Sequence, residues 1–380
     1  METIVGTIRR PVKRRRHDID WLRVLAFGLL ILFHVSLFFS HWGWHIKNNE
    51  ISYRLNYPIL FTTQWRMPLL FMISGAGVYW SLGKRSAATF IRDRTRRILL
   101  PLVFGMLVII PQQIYLERLM QGHTYDYFTF YRHMFTGQLY PTGDFGWHHL
   151  WYLAYIFLYS LLGLPLLLLL RRPSGERLMA RLVDFFRNPR WLLLVPVGWF
   201  LLGDALHLPE NERGLLGDWK WHFRYFTLFV AGFVLCGQPR FWETLRRYRH
   251  GLLALAVGLM LVLLFFFWRN WRVFSGLEAV SFEVLRTAHY WVWLLAIFAY
   301  GYTYLDFSNR FLRYASPAVY PFYILHQTFL ITAGYYLAPL PWPWPVKFLL
   351  IVIATFGGCW LAYHFLIRPY RFVRPFFGVS

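Results

Sequence analysis

Long apolar segments, separated by short polar ones, dominate the hydrophobic pattern of this chain. A helix needs roughly 17–25 predominantly apolar residues to span a bilayer. Ten segments of about that length are predicted, at 20–40, 58–81, 98–116, 149–170, 191–206, 222–238, 251–268, 287–305, 317–338 and 348–367. The fifth is short and its ends are the least defined. No small-residue cleavage site follows the first, so we interpret it as a membrane helix and not as a signal peptide. The pattern predicts an all-α, polytopic membrane protein.

Composition agrees with this class and excludes two others. Apolar residues make up 57% of the 380 and charged residues 15%, against about 45–50% and 25% in soluble domains. Aromatic residues alone make up 21%, more than a soluble globule could bury or a disordered chain would carry. The two cysteines, Cys236 and Cys359, lie in apolar runs and are too few for a disulfide framework or a zinc site.

The positive charges are distributed by side. Of the 40 Lys and Arg, 27 lie in residues 1–19, in the connections after the second, fourth, sixth and eighth predicted spans, and after the tenth. Because cytoplasmic connections are enriched in Lys and Arg, both termini are predicted to be cytoplasmic. The net charge of +22 then reflects topology, and no nucleic-acid partner is expected. The basic face suits anionic membrane lipids or a phosphorylated ligand.

No linker, low-complexity stretch or internal repeat interrupts the pattern. We therefore predict a single membrane domain over residues 1–380, with a core at about 18–367. Residues 1–17 are interpreted as a basic cytoplasmic segment that precedes the first span.

The first span carries three ionisable residues, Asp20, Arg23 and His34. Charged groups inside a bilayer are costly unless they are paired or solvated. Asp20 and Arg23 are one turn apart and can form an ion pair. Arg23 and His34, eleven residues apart, share one helix face and lie about 16 Å apart along the axis. The stripe is either part of a site or a structural ion pair with a hydrogen-bonded core histidine.

Five motifs in order resemble the acyltransferase-3 family of integral membrane acyltransferases. Asp20-x2-Arg23-x10-His34 resembles the signature of its first helix. The other four are Phe71-Met-Ile-Ser74-Gly75, the basic run from Phe90 to Pro101, His149-Leu-Trp151-Tyr-Leu, and Ser316-x3-Tyr320-x2-Tyr323-x2-His326. The resemblance covers about residues 18–367. Within the family, His-Leu-Trp-Tyr and Phe-Tyr-Ile-Leu-His are most similar to the branch that succinylates periplasmic glucans.

The resemblance implies transfer of an acyl group, acetyl or succinyl, from cytoplasmic acyl-CoA to a hydroxyl of an extracytoplasmic glycan. It places the chain in the cell inner membrane as a multi-pass enzyme. Four cations of the basic run would then contact the phosphates of coenzyme A, since guanidinium groups bind phosphate oxygens in pairs. These are Arg92, Arg94, Arg96 and Arg97. The alternative is that they are only positive-inside anchors. A pantetheine arm could reach from this loop past Arg23 to His34.

His34 is the predicted general base, because imidazole titrates near neutral pH; a covalent acyl-histidine relay is not required. Ser74 would line the acyl channel or donate to the developing oxyanion, or it is a small residue at a helix contact. Arg66 would bind the carboxylate of a succinyl chain. The structural alternative for Arg66 is an ion pair with Asp204.

Four further residues are assigned to the acceptor side. These are His149, Trp151, Tyr323 and His326. Trp151 can stack on a sugar ring or serve as an interfacial belt residue, and His326 can orient a catalytic partner or be a core histidine. No metal site is expected, because neither a carboxylate nor a cysteine is apparent beside His41, His45, His148 and His149.

Two other classes compete with this interpretation. A transporter or flippase of a polysaccharide or lipid-linked substrate would use the polar stripe as a pathway, but no inverted repeat or pair of broken helices is visible. A second family of membrane acyltransferases relies on a His–Asn pair, and the Arg-x10-His spacing favours the first family.

Overall fold

The structure is a computed structural model that describes residues 15–83, 85–136, 138–140, 142–211, 214–269 and 273–379. Over these ranges the chain is helical and forms no strand, apart from an isolated bridge between Leu139 and Phe145. The all-α prediction is confirmed. Most of the predicted basic segment 1–17 lies outside the described residues, which begin at Arg15.

Thirteen helices account for most of the described chain. They are α1 (His17–Phe39), α2 (Asn56–Leu82), α3 (Ala87–Met120), α4 (Tyr127–His133), α5 (His148–Leu162), α6 (Leu164–Leu170), α7 (Pro173–Phe185), α8 (Pro189–Ala205), α9 (Trp219–Cys236), α10 (Pro239–Trp268), α11 (Gly276–Tyr304), α12 (Arg310–Leu337) and α13 (Trp344–Ile367). Short 3₁₀ turns complete the set, among them Arg374–Phe377.

Every predicted span falls largely on a helix or a helix pair. The segment 149–170 is divided at Gly163 into α5 and α6, which meet at 56°. Among the described helices, α1, α3, α10 and α13 are long and apolar enough to cross a membrane, and the bent pair α5–α6 makes a fifth if it counts as one span. Ten spans and two cytoplasmic termini therefore stay predictions.

Helices α1 and α12 run side by side in the same direction. Trp21 of α1 donates to the Phe307 carbonyl just before α12, and His34, near the other end of α1, contacts His326. The start of α1 therefore lies beside the start of α12. We call the end of the molecule that holds both helix starts the arginine end, because residues 85–97 and 368–379 also gather there.

Helix α2 is fixed against α9 by two glycines. A Cβ atom on Gly75 would lie 1.8 Å from the Phe229 carbonyl oxygen, and one on Gly232 would lie 2.0 Å from the Met72 carbonyl oxygen. Small residues let membrane helices approach this closely. The contact holds the part of α2 that carries Arg66 and Ser74.

Helix α3 contains two wide π turns, Thr95–Leu99 and Gly105–Ile109. A proline follows each turn closely, at Pro101 and Pro111, and proline cannot donate the usual helical hydrogen bond. Single π turns often lie at functional sites. The first turn carries two of the four arginines predicted to bind coenzyme A.

At the opposite end, Lys47 secures the C-terminus of α1. Its Nζ atom donates to the carbonyl oxygens of Leu37 at 2.6 Å and Ser40 at 2.7 Å, at the end of the helix, where carbonyl oxygens lack the usual N–H partner four residues on. Burial lowers the pKa of the Lys47 amine to about 8. The charge of Lys47 is therefore placed for structure, well away from the arginine end.

Candidate active site

His34 and His326 form a hydrogen-bonded pair between α1 and α12. The Nδ1 atom of His34 lies 2.9 Å from Nε2 of His326, and Nδ1 of His326 lies 2.7 Å from the Tyr323 carbonyl oxygen. His326 is fully buried, whereas His34 is half-buried. We call this arrangement the histidine relay.

The relay determines the tautomer of both rings when they are neutral. A carbonyl oxygen can only accept, so Nδ1 of His326 carries the hydrogen and its Nε2 accepts. Nδ1 of His34 must then donate, which leaves the lone pair of His34 on Nε2. Nε2 of His34 is thus left able to accept a hydrogen, and a second residue fixes the ring, as in the histidine of a hydrolase triad.

His149 and Tyr323 surround the relay. His149 Nε2 donates to the Ile324 carbonyl at 3.1 Å, and the Tyr323 hydroxyl donates to the His149 carbonyl. The His149 ring stands edge-on to His326 at 5.2 Å between centroids. Its Nδ1 atom is buried and has no partner among the described residues. Both residues therefore support the relay within the core and do not lie on the surface.

Arg66 lies beside the relay and not beside Asp204. Its guanidinium carbon is 3.5 Å from the centroid of Phe33, the residue before His34. Asp204 instead accepts two hydrogen bonds from Arg224, at 2.8 and 2.9 Å. The alternative that pairs Arg66 with Asp204 is therefore wrong, because Arg224 of α9 forms the ion pair with that carboxylate.

Asp20 and Arg23 do form the predicted ion pair, at 3.1 Å. Arg23 also donates to Ser316 of α12 at 2.8 Å, and Ser316 donates to Asp20 at 3.4 Å. Arg23 and His34 both contact α12, as their shared helix face predicts. The ion pair is therefore present, and it forms the first part of the polar stripe on α1. The two interpretations of the stripe do not exclude each other.

Ser74 bonds to Tyr152 across the interface of α2 and α5. The two oxygens are 2.6 Å apart, and the Tyr152 hydroxyl also donates to the Leu70 carbonyl at 3.2 Å. Because Tyr152 has one hydrogen, Ser74 donates when Tyr152 bonds to Leu70. Ser74 therefore lies at a helix contact, as the structural alternative has it, while its neighbour Gly75 makes the close approach to α9.

The four arginines predicted to bind coenzyme A lie in three different places. Arg96 and Arg97 line a cleft of about 510 Å³ at the arginine end. Arg94 is half-buried and covers the Phe90 ring at 4.8 Å, where it interacts electrostatically with Tyr320 and Tyr152. Arg92 is exposed and does not line the cleft.

Polar groups connect the arginine end with the histidine relay. Arg94 interacts electrostatically with Tyr320 and Tyr152, and Tyr152 forms a hydrogen bond with Ser74. Tyr152 packs edge-on against Tyr323 at 6.1 Å between centroids, and the Phe27 ring contacts both, at 6.4 and 5.2 Å. A continuous row of packed hydroxyl and aromatic side chains therefore joins the two regions, and we call it the polar route.

Trp151 packs inside an aromatic cluster. Its ring lies 6.0 Å from Phe71, 5.2 Å from Tyr155 and 5.7 Å from Tyr225, and only 9% of the residue is exposed. In this conformation no ring face is presented to solvent, and sugar stacking by Trp151 stays a prediction.

A second imidazole group lies at the opposite end. His45 bonds to Glu117, which also accepts from Tyr140 at 3.3 Å, and the His148 ring is 5.4 Å from His45. The Glu117 carboxylate therefore lies next to these histidines, a contact that the sequence did not indicate. Among the described residues, however, no three His, Cys, Asp or Glu are grouped to hold a metal ion.

Sequence reasoning missed several members of the site. Tyr152, Ser316 and Tyr320 lay inside the quoted motifs, but a residue's place in a motif does not reveal its partner. Arg371 and Arg374 also line the cleft at the arginine end, and they were counted only as positive charges after the last span. No signal in the sequence places them next to Arg97, because 274 or more residues separate them.

Comparison with known proteins gives a family match over most of the chain. The family model described as an acyltransferase domain, of the acyltransferase-3 type, matches residues 16–364. Glucans biosynthesis protein C of Escherichia coli O81 strain ED1a is 23% identical over 348 residues, which cover 86% of this chain and 85% of that protein.

Two further relatives carry the same name. The protein from Shigella dysenteriae serotype 1 is 23% identical over 348 residues, and that from Salmonella paratyphi B is 23% identical over 344 residues, each with 86% of this chain and 85% of the relative covered. No solved structure matches the chain significantly. The relatives agree with the branch that the sequence motifs indicate.

Proposed function

Because the chain belongs to the acyltransferase-3 family, we propose that it moves an acetyl or succinyl group from cytoplasmic acyl-CoA to a glycan hydroxyl outside the cytoplasm. Membership makes the chain an acyltransferase and decides against the transporter alternative. The proposed location is the cell inner membrane, since acyl-CoA is cytoplasmic. The name of the relatives, which refers to glucan biosynthesis, supports a glycan as acceptor.

The histidine relay is the observation that carries the proposal. His34 is held with its lone pair on Nε2, on a helix face that continues towards the arginine end. A general base needs this orientation before its pKa matters. His326 and the Tyr323 carbonyl supply the orientation without a charged group, so His326 acts as a positioning residue.

The reaction needs one proton to move twice. Nε2 of His34 takes the proton of the acceptor hydroxyl while the oxygen attacks the thioester carbonyl, and the new C–O bond forms. The C–S bond then breaks, and the sulfur of coenzyme A leaves with the proton that His34 returns. The products are an ester and the free thiol, and no further reactant is required.

The donor approaches from the arginine end. Arg96 and Arg97 offer guanidinium groups for the phosphates of coenzyme A, and Arg94 lies where the route turns inward. The 16 Å between Arg23 and His34, about eleven helical rises, suits an extended pantetheine arm. Arg92, exposed outside the cleft, contributes long-range attraction only.

Arg66 is proposed to select the acyl group. It is 5% exposed and lies over Phe33, next to the relay. A succinyl carboxylate at this position would form a charge-assisted bond with its guanidinium. Replacement by Gln should lower succinyl transfer more than acetyl transfer, whereas equal losses would remove Arg66 from acyl selection.

The acceptor is proposed to approach from the opposite end, past His149, Tyr323 and Trp151. The buried, unpartnered Nδ1 atom of His149 is a hydrogen-bond acceptor that a sugar hydroxyl could use. Reaching it requires a movement of the aromatic cluster around Trp151. His149→Phe should therefore weaken acceptor use and leave donor binding unchanged.

Acyl transfer itself is the test. Membranes that contain the wild-type protein or its His34→Ala variant are supplied with radiolabelled acetyl-CoA or succinyl-CoA, and the released glycans are analysed. Label should enter a glycan only with the wild type and should show which acyl group is used. Label in lipid or protein but not in glycan would contradict the proposed acceptor.

A further inference from the structure

The cleft at the arginine end is built from two distant parts of the chain. Arg96 and Arg97, on the first π turn of α3, form one side. Arg371 and Arg374, in the segment 368–379 that follows α13, form the other. We call this space, of about 510 Å³, the arginine cleft. Its volume lies within the range of about 300–1,000 Å³ that small-molecule sites occupy.

The segment 368–379 is held in place by its own contacts and by α3. Arg374 donates twice to the Arg368 carbonyl, at 2.6 and 3.0 Å. The rings of Phe376 and Phe377 pack on Phe104 of α3 at 5.0 and 5.3 Å. The second side of the cleft is therefore a formed structure, and Arg371 projects from it exposed.

Gly378 brings this segment against the π turn. Its φ angle is 68°, in the left-handed region, where residues with a side chain are strained. A Cβ atom there would lie 3.0 Å from the Arg97 carbonyl oxygen and 3.3 Å from the Tyr320 ring. The close approach sets the width of the cleft and joins it to the polar route that begins at Tyr320.

The charges in the cleft are not neutralised by protein carboxylates. Asp93, the acidic residue of the lining, forms an ion pair with Arg85. In the described parts of the chain, none of the four cleft arginines has an ion pair with Asp or Glu. Four like charges around one space repel each other, and a polyanion between them would remove that repulsion.

We propose that the arginine cleft binds the phosphates of the adenosine part of the donor, so that the segment 368–379 forms half of the donor site. Guanidinium groups on both sides match a ligand with separate phosphate groups, such as a 3′-phosphate and a diphosphate. The thioester arm then leaves the cleft past Tyr320 towards His34. This inference rests on the proposed function, because it takes acyl-CoA as the donor.

Phosphates of anionic lipid head groups have the same chemistry, and the experiment separates the two sources. The full-length protein is purified in nanodiscs of neutral lipid and in nanodiscs that contain phosphatidylglycerol. Binding of coenzyme A and of 3′-dephospho-coenzyme A is measured by calorimetry in each. Binding, and not turnover, is the readout, so that failure of catalysis does not obscure the result.

Arg371→Gln is the primary variant, because Arg371 is exposed and its loss leaves the contacts of Arg374 intact. Hydrogen bonds to charged groups predict a loss of coenzyme A affinity of roughly 10- to 100-fold. Arg371→Lys should recover part of it, and Arg246→Gln, an exposed arginine on α10, should change nothing. Gly378→Ala should also weaken binding, by moving the segment without removing a charge.

Each outcome has a distinct meaning. A loss for Arg371→Gln that is smaller with 3′-dephospho-coenzyme A assigns Arg371 to the 3′-phosphate, and an equal loss assigns it to the diphosphate; both support the proposal. Unchanged affinity in Arg371→Gln while the wild type binds coenzyme A overturns it and leaves the proposed function standing. If the wild type binds coenzyme A in neither kind of nanodisc, both the proposal and the proposed function are overturned.

Discussion

The arginine cleft and the histidine relay solve different physical problems. The cleft is open to water and gathers positive charge from residues far apart in sequence, with no fixed partner for Arg96 or Arg371 in the described chain. The relay has a buried His326 and a half-buried His34, carries no fixed charge, and specifies each hydrogen through His326 and the Tyr323 carbonyl. The first is suited to binding, where several weak contacts add; the second is suited to a proton transfer that needs one geometry.

This difference predicts how the two regions respond to substitution. Loss of one arginine should be graded, because the remaining cations still attract the donor. Loss of a relay member should be severe, because no neighbouring group can take its place. The following predictions test that contrast, from the largest expected effect to the smallest.

His34→Ala should reduce acyl transfer by roughly 10²–10⁴-fold, as expected when a general base is removed. Insertion and folding should be nearly normal, since His34 is half-buried. The rate is measured with purified protein at saturating donor, and coenzyme A affinity serves as the control. Near-wild-type turnover in the inserted variant would remove His34 from the mechanism.

His326→Leu should lower kcat by about 10²-fold, less than loss of the base itself, because His34 remains but its tautomer is no longer fixed. His326→Gln offers a side-chain oxygen that can accept from Nδ1 of His34, so it should recover much of the loss. The pH profile of kcat should shift in the Leu variant alone. Identical behaviour of Leu and Gln variants would show that His326 only fills space.

Ser316→Ala should have a moderate effect, about 10-fold on kcat/KM, because the Ser316 hydroxyl accepts a hydrogen bond from the charged Arg23 at 2.8 Å. Ser316→Thr keeps the hydroxyl and should retain activity. We expect the change mainly in KM for the donor, since Arg23 lies on the proposed path of the donor. An effect confined to kcat would place Arg23 with the relay.

Lys47→Met should change stability and not transfer. With a folded-state pKa of about 8, below the ordinary 10.5, the folded protein binds fewer protons than the unfolded chain between those pH values. The cost of burying the charge is present below pH 8 and decreases as pH rises towards 10.5. The midpoint temperature of thermal unfolding of the wild type should therefore rise between these pH values relative to that of the variant. Parallel curves would contradict the burial of this charge.

The sequence supports the main features of the fold for clear physical reasons. Apolar length marks helices, and eleven residues return to the same face, which is why Arg23 and His34 both reach α12. The partners on α12 are not predictable, because they depend on which helices pack together. Arg66 illustrates the limit: Asp204 was its plausible partner by charge, yet Arg224 occupies that carboxylate.

The arginine cleft illustrates the same limit at longer range. The charge pattern placed the loop 82–97 and the residues after the last span on one side of the membrane. It could not indicate that Gly378 packs against the carbonyl of Arg97, because that contact depends on a left-handed backbone conformation and on the π turn before Pro101.

Sidedness is the most direct test of the central claim, which is transfer across the membrane from the arginine cleft to an acceptor at the other face. The protein is reconstituted into vesicles of one orientation, and labelled acyl-CoA is supplied to one face at a time. We predict transfer only when acyl-CoA meets the face bearing residues 85–97 and 368–379, with acylated glycan appearing at the opposite face. Transfer with donor and acceptor both supplied at the arginine end alone would contradict the account.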